Sequence, residues 1–162
     1  MDWRIVPGYD RPEEVMALFD AYTRMLVEGE PAMAGYLQQQ NYQTEIARLG
    51  EKYGPPAGRF YLAEAAGRAV GCIALHAYDE SRCELKRLYV MPAFRGHGIA
   101  RALTRRVIAD ARAIGYKAIL LDTLPFLKEA IALYESEGFR RVARYNDSPL
   151  PEDRTYFYCL DL

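Results

Sequence analysis

The sequence predicts an α/β (α+β) fold: a mixed, mostly antiparallel central sheet of about seven strands flanked by about four helices. Two observations carry that reading. Short apolar runs and helical periodicities follow the order β-αα-βββ-α-β-α-ββ, which mixes hairpins with one crossover. The length of 162 residues suits one domain, 1–162, with a proper core.

Each element has a local reason. Ile5-Val6 is a short strand closed by Pro7-Gly8. Residues 12–27 read as a helix, because Val15, Leu18, Phe19, Tyr22 and Leu26 recur at helical spacing and Pro12 suits a first turn. A break at Gly29-Glu30-Pro31 leads to a second helix over 33–49, with Tyr36, Leu37, Ile46 and Leu49 apolar. Residues 53–58 form a Gly/Pro loop. Strands at 59–65 and 69–78 surround the turn Ala66-Gly67-Arg68, a hairpin signal. Residues 84–90 form the next strand, and 99–114 a strongly periodic helix stopped by Gly115. The apolar run 118–121 before Asp122-Thr123 suits a buried strand. A helix over 125–137 ends at Gly138, followed by strands at 139–143 and 155–160 around a polar loop.

Composition narrows the function classes. A net charge of −1 gives no electrostatic footprint for nucleic acid. No apolar run approaches the roughly 20 residues of a membrane span, and Met1-Asp2-Trp3-Arg4-Ile5-Val6 lacks a signal-peptide core. Cys72, Cys83 and Cys159 lie in apolar strand-like runs without metal-ligand spacing, so buried free thiols, no metal and a cytoplasmic location are expected.

The most informative stretch is Arg95-Gly96-His97-Gly98-Ile99-Ala100, a glycine-rich turn between a strand and a helix. Such a turn aims backbone N–H groups and the positive helix end at one place, a seat for phosphate or pyrophosphate. A Walker loop would need Lys then Ser/Thr after the last glycine, and Ile99-Ala100 stand there. A dinucleotide turn needs three glycines, but Arg101 occupies the third place, although Asp122 mimics the ribose-binding acid. The run Arg95-x-x-Gly98-x-Ala100, preceded by Leu88-Tyr89-Val90-Met91-Pro92, instead closely resembles the acyl-CoA loop of the GNAT superfamily of N-acyltransferases. A second block, Leu133-Tyr134-Glu135-Ser136-Glu137-Gly138-Phe139, resembles that family's later helix. The element order extends the resemblance over essentially the whole chain.

The resemblance implies a cosubstrate, acetyl-CoA, and an acetyl transfer to a small-molecule or peptide amine by direct attack in a ternary complex; a non-catalytic CoA-binding regulatory module is the alternative. Backbone of Arg95, Gly96, His97, Gly98, Ile99 and Ala100 would hold the pyrophosphate, with added charge from Arg95 and Arg101. Backbone near Leu88, Tyr89 and Val90 would pair with the pantetheine arm beside a β-bulge. Tyr134 would be the general acid for the leaving thiolate and Glu84 the base for the amine. Strand alternation puts Glu84, Lys86, Leu88 and Val90 on one face. His76 is a second choice for base. Leu127 stands where many family members carry Asn, so a hydrogen bond to the arm would be lost. The acceptor wall would draw on Tyr22, Glu28, Glu30, Tyr36, Tyr42, Tyr145, Asp147, Glu152 and Asp153. No nucleic acid or membrane partner is implied, and dimers are common in the family, so a homodimer stays open.

Overall fold

A computed structural model describes residues 1–35, 41–148 and 150–162. Seven strands, β1 (Trp3–Pro7), β2 (Arg59–Ala65), β3 (Arg68–Ala77), β4 (Arg82–Val90), β5 (Ala118–Thr123), β6 (Arg140–Val142) and β7 (Tyr156–Asp161), form one sheet in the order β1-β2-β3-β4-β5-β7-β6. Every neighbouring pair is antiparallel except β4 and β5. Five α-helices are described: α1 (Pro12–Gly29), α2 (Tyr42–Ala47), α3 (Leu49–Tyr53), α4 (Ile99–Ile114) and α5 (Lys128–Ser136).

The helices cover both sheet faces. On one, Ile99, Leu103 and Val107 of α4 and Tyr134 of α5 pack on Ile73, Leu85 and Ile119. On the other, Val15 and Phe19 of α1, Tyr42 and Tyr53 pack on Phe60, Leu62 and Tyr89. Each face removes aliphatic and aromatic area from water, the main favourable term in folding.

Several boundaries differ from the sequence reading. The second helix is not continuous over 33–49. Pro31–Met33 is a 3-10 turn, 36–40, with Tyr36 and Leu37, lie outside the described residues, and α2 starts afresh after Asn41. The Asn41 side-chain oxygen accepts from the Thr44 N–H at 3.1 Å, an N-cap that favours a new start. Arg48 leaves helical geometry at φ −120°, dividing α2 from α3. The helix expected from Pro125 starts at Lys128, because the Leu127 N–H turns back to the Leu124 carbonyl at 3.0 Å. Phe139 is not a strand residue. Gly138, at φ 100°, ends α5 in a Schellman-like stop in which the Phe139 N–H donates to the Tyr134 carbonyl.

Two features of β4 shape everything downstream. Its parallel register with β5 ends at Glu84↔Leu120, although both strands continue, so the strands splay. Its register with β3 shifts between Cys72↔Tyr89 and Ala74↔Lys86, where two β4 residues oppose one β3 residue. The bulged residue is Arg87, at φ 59°. That bulge overturns the simple alternation. Leu88 and Val90 join Cys83 and Leu85 on the α4 face, while Tyr89 packs on the α1 face.

Candidate active site

The splay between β4 and β5 opens two adjoining cavities. The larger, about 620 Å³, is lined by Leu88, Tyr89 and Val90 of β4, by Arg95, Gly96, Gly98, Ile99, Ala100 and Arg101, and by Leu127, Leu133 and Tyr134. The smaller, about 290 Å³, is lined by Lys86, Arg87, Asn146, Asp147, Ser148 and Thr155, with Leu26 and Met33. Tyr22, Leu88, Asp122, Thr123, Leu127 and Tyr134 line both, so one junction joins them.

The turn into α4 has the conformation its glycines permit. Gly96 and Gly98 adopt φ 84° and 79°, where L side chains are strained, and Gly98 is the helix N-cap. Among the described residues, the N–H groups of residues 96–101 donate to no protein acceptor, while the Ala102 N–H already bonds the Gly98 carbonyl. They are the orphan donors of a helix N-terminus, carrying partial positive charge toward the larger cavity. A Cβ at Gly96 or Gly98 would meet nothing within 4 Å, so the turn faces open space. These donors and this opening fit a pyrophosphate.

The side chains of the turn divide. Arg95 donates from Nε to the Val90 carbonyl at 2.8 Å and lies over the Tyr89 ring. Arg101 donates to Ser136 and Glu137 at 3.0 and 2.6 Å, tying α4 to the end of α5. His97 is exposed and does not line the cavity.

Tyr134 is 6% exposed, with its ring against Phe139. Burial pushes its phenol well above the ordinary value, aided by nearby Tyr22 and Asp122, so it holds its proton at neutral pH. Among the described residues, no hydrogen bond engages its hydroxyl at the junction. Leu127 also stands there and supplies no polar atom.

Glu84 lies elsewhere. It lines neither cavity. His76 Nε2 is 2.9 Å from one oxygen, the Tyr145 hydroxyl donates to the other, and Lys86 stands at 3.6 Å. Burial alone would raise its carboxyl, but His76, Lys86 and Tyr145 outweigh that and hold it at about 2. A carboxylate so stabilised is a weak base, and in this geometry it borders neither cavity. His76 belongs to the same closed network and packs edge-on against Tyr53.

The carboxylate that does reach the junction is Asp122, at the end of β5. Asn146 donates to one of its oxygens at 2.7 Å and Lys86 stands 3.5 Å from the other. Sequence reading met Asp122 only as a dinucleotide look-alike; its place after an apolar strand was the available signal. Arg87 was missed altogether. Its guanidinium makes a paired contact with Glu45 at 3.0 and 3.3 Å, between the rings of Phe19 and Tyr42.

Of the acceptor-wall candidates, Tyr22 and Asp147 line the smaller cavity. Tyr145 binds Glu84, Tyr42 packs on Phe19, and Glu30 pairs with Arg154. Glu28 and Asp153 are exposed, while Tyr36 and the Glu152 side chain lie outside the described residues. All three cysteines are free and buried, and none lines either cavity. Among the described residues no group of side chains could hold a metal, and no helix is long and apolar enough to cross a membrane.

Known proteins resemble this chain in sequence and in fold. An uncharacterised N-acetyltransferase of Schizosaccharomyces pombe is 40% identical over 114 residues, covering 69% of this chain and 70% of that one. The N-acetylaspartate synthetase of Danio rerio is 42% identical over 110 residues, covering 67% of this chain but only 39% of that protein. The crystal structure of an acetyltransferase from Streptococcus agalactiae superposes with a TM-score of 0.75 at 24% identity, over 99% of this chain and 98% of the other, which shows a shared fold. The model of the acetyltransferase (GNAT) family matches residues 15–139, from α1 through the Gly138 stop, and the chain belongs to that family.

Proposed function

We propose that residues 1–162 act as one acyltransferase domain that moves an acetyl group from acetyl-CoA to a primary amine by direct attack in a ternary complex. As a family member the chain is an acetyl-CoA-dependent acetyltransferase; the route and the residue roles are the new part. The observation that carries them is the junction, where Tyr134 and Asp122 line both cavities at once. One cavity can hold the donor and the other the acceptor, with the reacting atoms meeting where they join.

In this reading the N–H groups of residues 96–101 receive the pyrophosphate, with Arg95 and Arg101 beside it. The backbone of Leu88, Tyr89 and Val90, freed from β5 by the splay, receives the pantetheine arm as an added strand. The amine gives a proton to Asp122 and bonds the acetyl carbon. The carbon–sulfur bond breaks, and the sulfur takes its proton from the Tyr134 hydroxyl. Glu84 serves as a positioning residue, fixing Tyr145 and Lys86 beside the acceptor cavity. An acyl-cysteine route has no thiol within either cavity to use.

Calorimetric titration with acetyl-CoA, followed by thiol release with an amine panel, tests this. One saturable site and amine-dependent release are expected. Absence of saturable binding sinks the reading.

A further inference from the structure

The loop between β6 and β7 brings a carboxamide to the acceptor side of the junction. Asn146 is half-buried, lines the smaller cavity and donates from Nδ2 to one Asp122 oxygen at 2.7 Å. Its Oδ1 accepts from the Ser148 N–H at 3.1 Å. The two contacts fix the sense of the amide, because a flipped group would set oxygen against carboxylate and NH2 against N–H. The loop is tied down on both sides of Asn146. The Tyr145 hydroxyl donates to Glu84, and the Tyr145 carbonyl accepts from the Tyr78 hydroxyl at 2.8 Å. Arg144 donates to the Ser148 and Leu150 carbonyls at 2.8 and 2.5 Å. Of these contacts, the one from Asn146 ends on Asp122.

We propose, resting on the assignment of Asp122 as the base, that Asn146 is the positioning residue that holds its carboxylate in place for proton transfer. The outer side-chain torsion of aspartate is broad, so partners decide how the carboxylate plane lies. Asn146 fixes one oxygen from the loop, and Lys86 faces the other from β4 at 3.5 Å. An ionised carboxylate offers about four lone-pair sites, so the amide takes one and leaves room for the proton of an acceptor. The charged and titratable groups around Asp122 are Lys86 and Arg87 of β4, Tyr22 of α1, Tyr134 of α5, and Tyr145 and Asp147 of the loop. Phe157, its register partner on β7, carries no such group. Asn146 does not titrate, so it orients the carboxylate across the whole pH range in which Asp122 changes charge.

The test is the pH dependence of kcat in the full chain at saturating acetyl-CoA. One amine serves for every variant, so its own ionisation is common to all profiles. Asn146→Asp keeps an oxygen for the Ser148 N–H and sets a like charge against Asp122 where the donor stood. Its acid limb is expected about one pH unit above that of wild type. Asn146→Ala loses the donor alone, so its limb should fall between the two, with plateau kcat about ten-fold lower. Acetyl-CoA affinity by calorimetry should stay within about two-fold in both variants, since Asn146 does not line the larger cavity. A limb that stays in place or moves down, with any loss confined to plateau rate or stability, overturns the proposal. If Asn146→Asp does not fold, the limb of Asn146→Ala decides. Asp122→Asn separates this proposal from the reading beneath it and should lower kcat about 100-fold or more. Wild-type turnover in Asp122→Asn would overturn the base assignment, whereas its loss beside unmoved limbs in the Asn146 variants would overturn the positioning role alone.

Discussion

The Tyr134 ring is buried, but its hydroxyl is not sealed off, and among the described residues it has no hydrogen-bond partner. That makes its hydroxyl available to a leaving sulfur. Tyr134→Phe keeps the ring packing on Phe139 and removes only the donor. Turnover is expected to fall about 100-fold or more, with the acetyl-CoA Kd nearly unchanged by calorimetry. Unchanged turnover would reject the acid role. Glu84 invites a pH experiment. Its folded carboxyl titrates near 2, below the ordinary value of 4.5, so its contribution is present above about pH 4.5 and is lost as pH falls through 2. The shift corresponds to roughly 3 kcal/mol. Glu84→Gln should lower stability at pH 7 and flatten the acid limb, measured by urea unfolding at stepped pH; an unchanged limb would contradict the network. Tyr134 was legible in the sequence because its block has a recognisable form. The setting of Glu84 was not, since His76 and Tyr145 meet it from residues 8 and 61 positions away.

At the scale of elements, glycines spoke plainly in the sequence. The Gly115 and Gly138 stops and the Ala66-Gly67 turn stand where they were read, because positive φ is a local demand. The bulge in β4 was silent. Arg87 in the left-handed region has no compositional signature, so a period-two reading ran through it and misplaced Leu88 and Val90. What holds Arg87 is Glu45 on α2, and both side chains are about 10% exposed. Glu45→Gln leaves a buried guanidinium without its carboxylate. A loss of about 3 kcal/mol is expected in chemical denaturation, together with a raised KM for acetyl-CoA as the splayed edge relaxes. Stability loss with no change in KM would confine the pair to a folding role.

At the scale of the molecule, fold class could be read in advance from the order of elements, and the glycine-rich turn into α4 from contiguous residues. The junction could not, because Tyr22, Leu88, Asp122 and Tyr134 come from four separate elements that only the sheet brings together. The same burial governs the thiols. Cys72 and Cys83 are both 0% exposed, and burial pushes each thiol up to about 12. Native protein should resist maleimide at pH 7 while remaining active, and all three cysteines should label in denaturant. Rapid labelling with loss of activity would revive an acyl-cysteine. Arg87 has one more consequence. Delete it on paper, and Leu85, Lys86, Leu88, Tyr89 and Val90 alternate without fault, with Ala74 still opposite Lys86 and Cys72 opposite Tyr89. Both hydrophobic layers would keep every member. Strand pairing alone therefore does not require the residue, which the folded state holds in the left-handed region at φ 59°. What the extra residue adds is a bend in β4 and a buried guanidinium that ties the strand to α2 through Glu45.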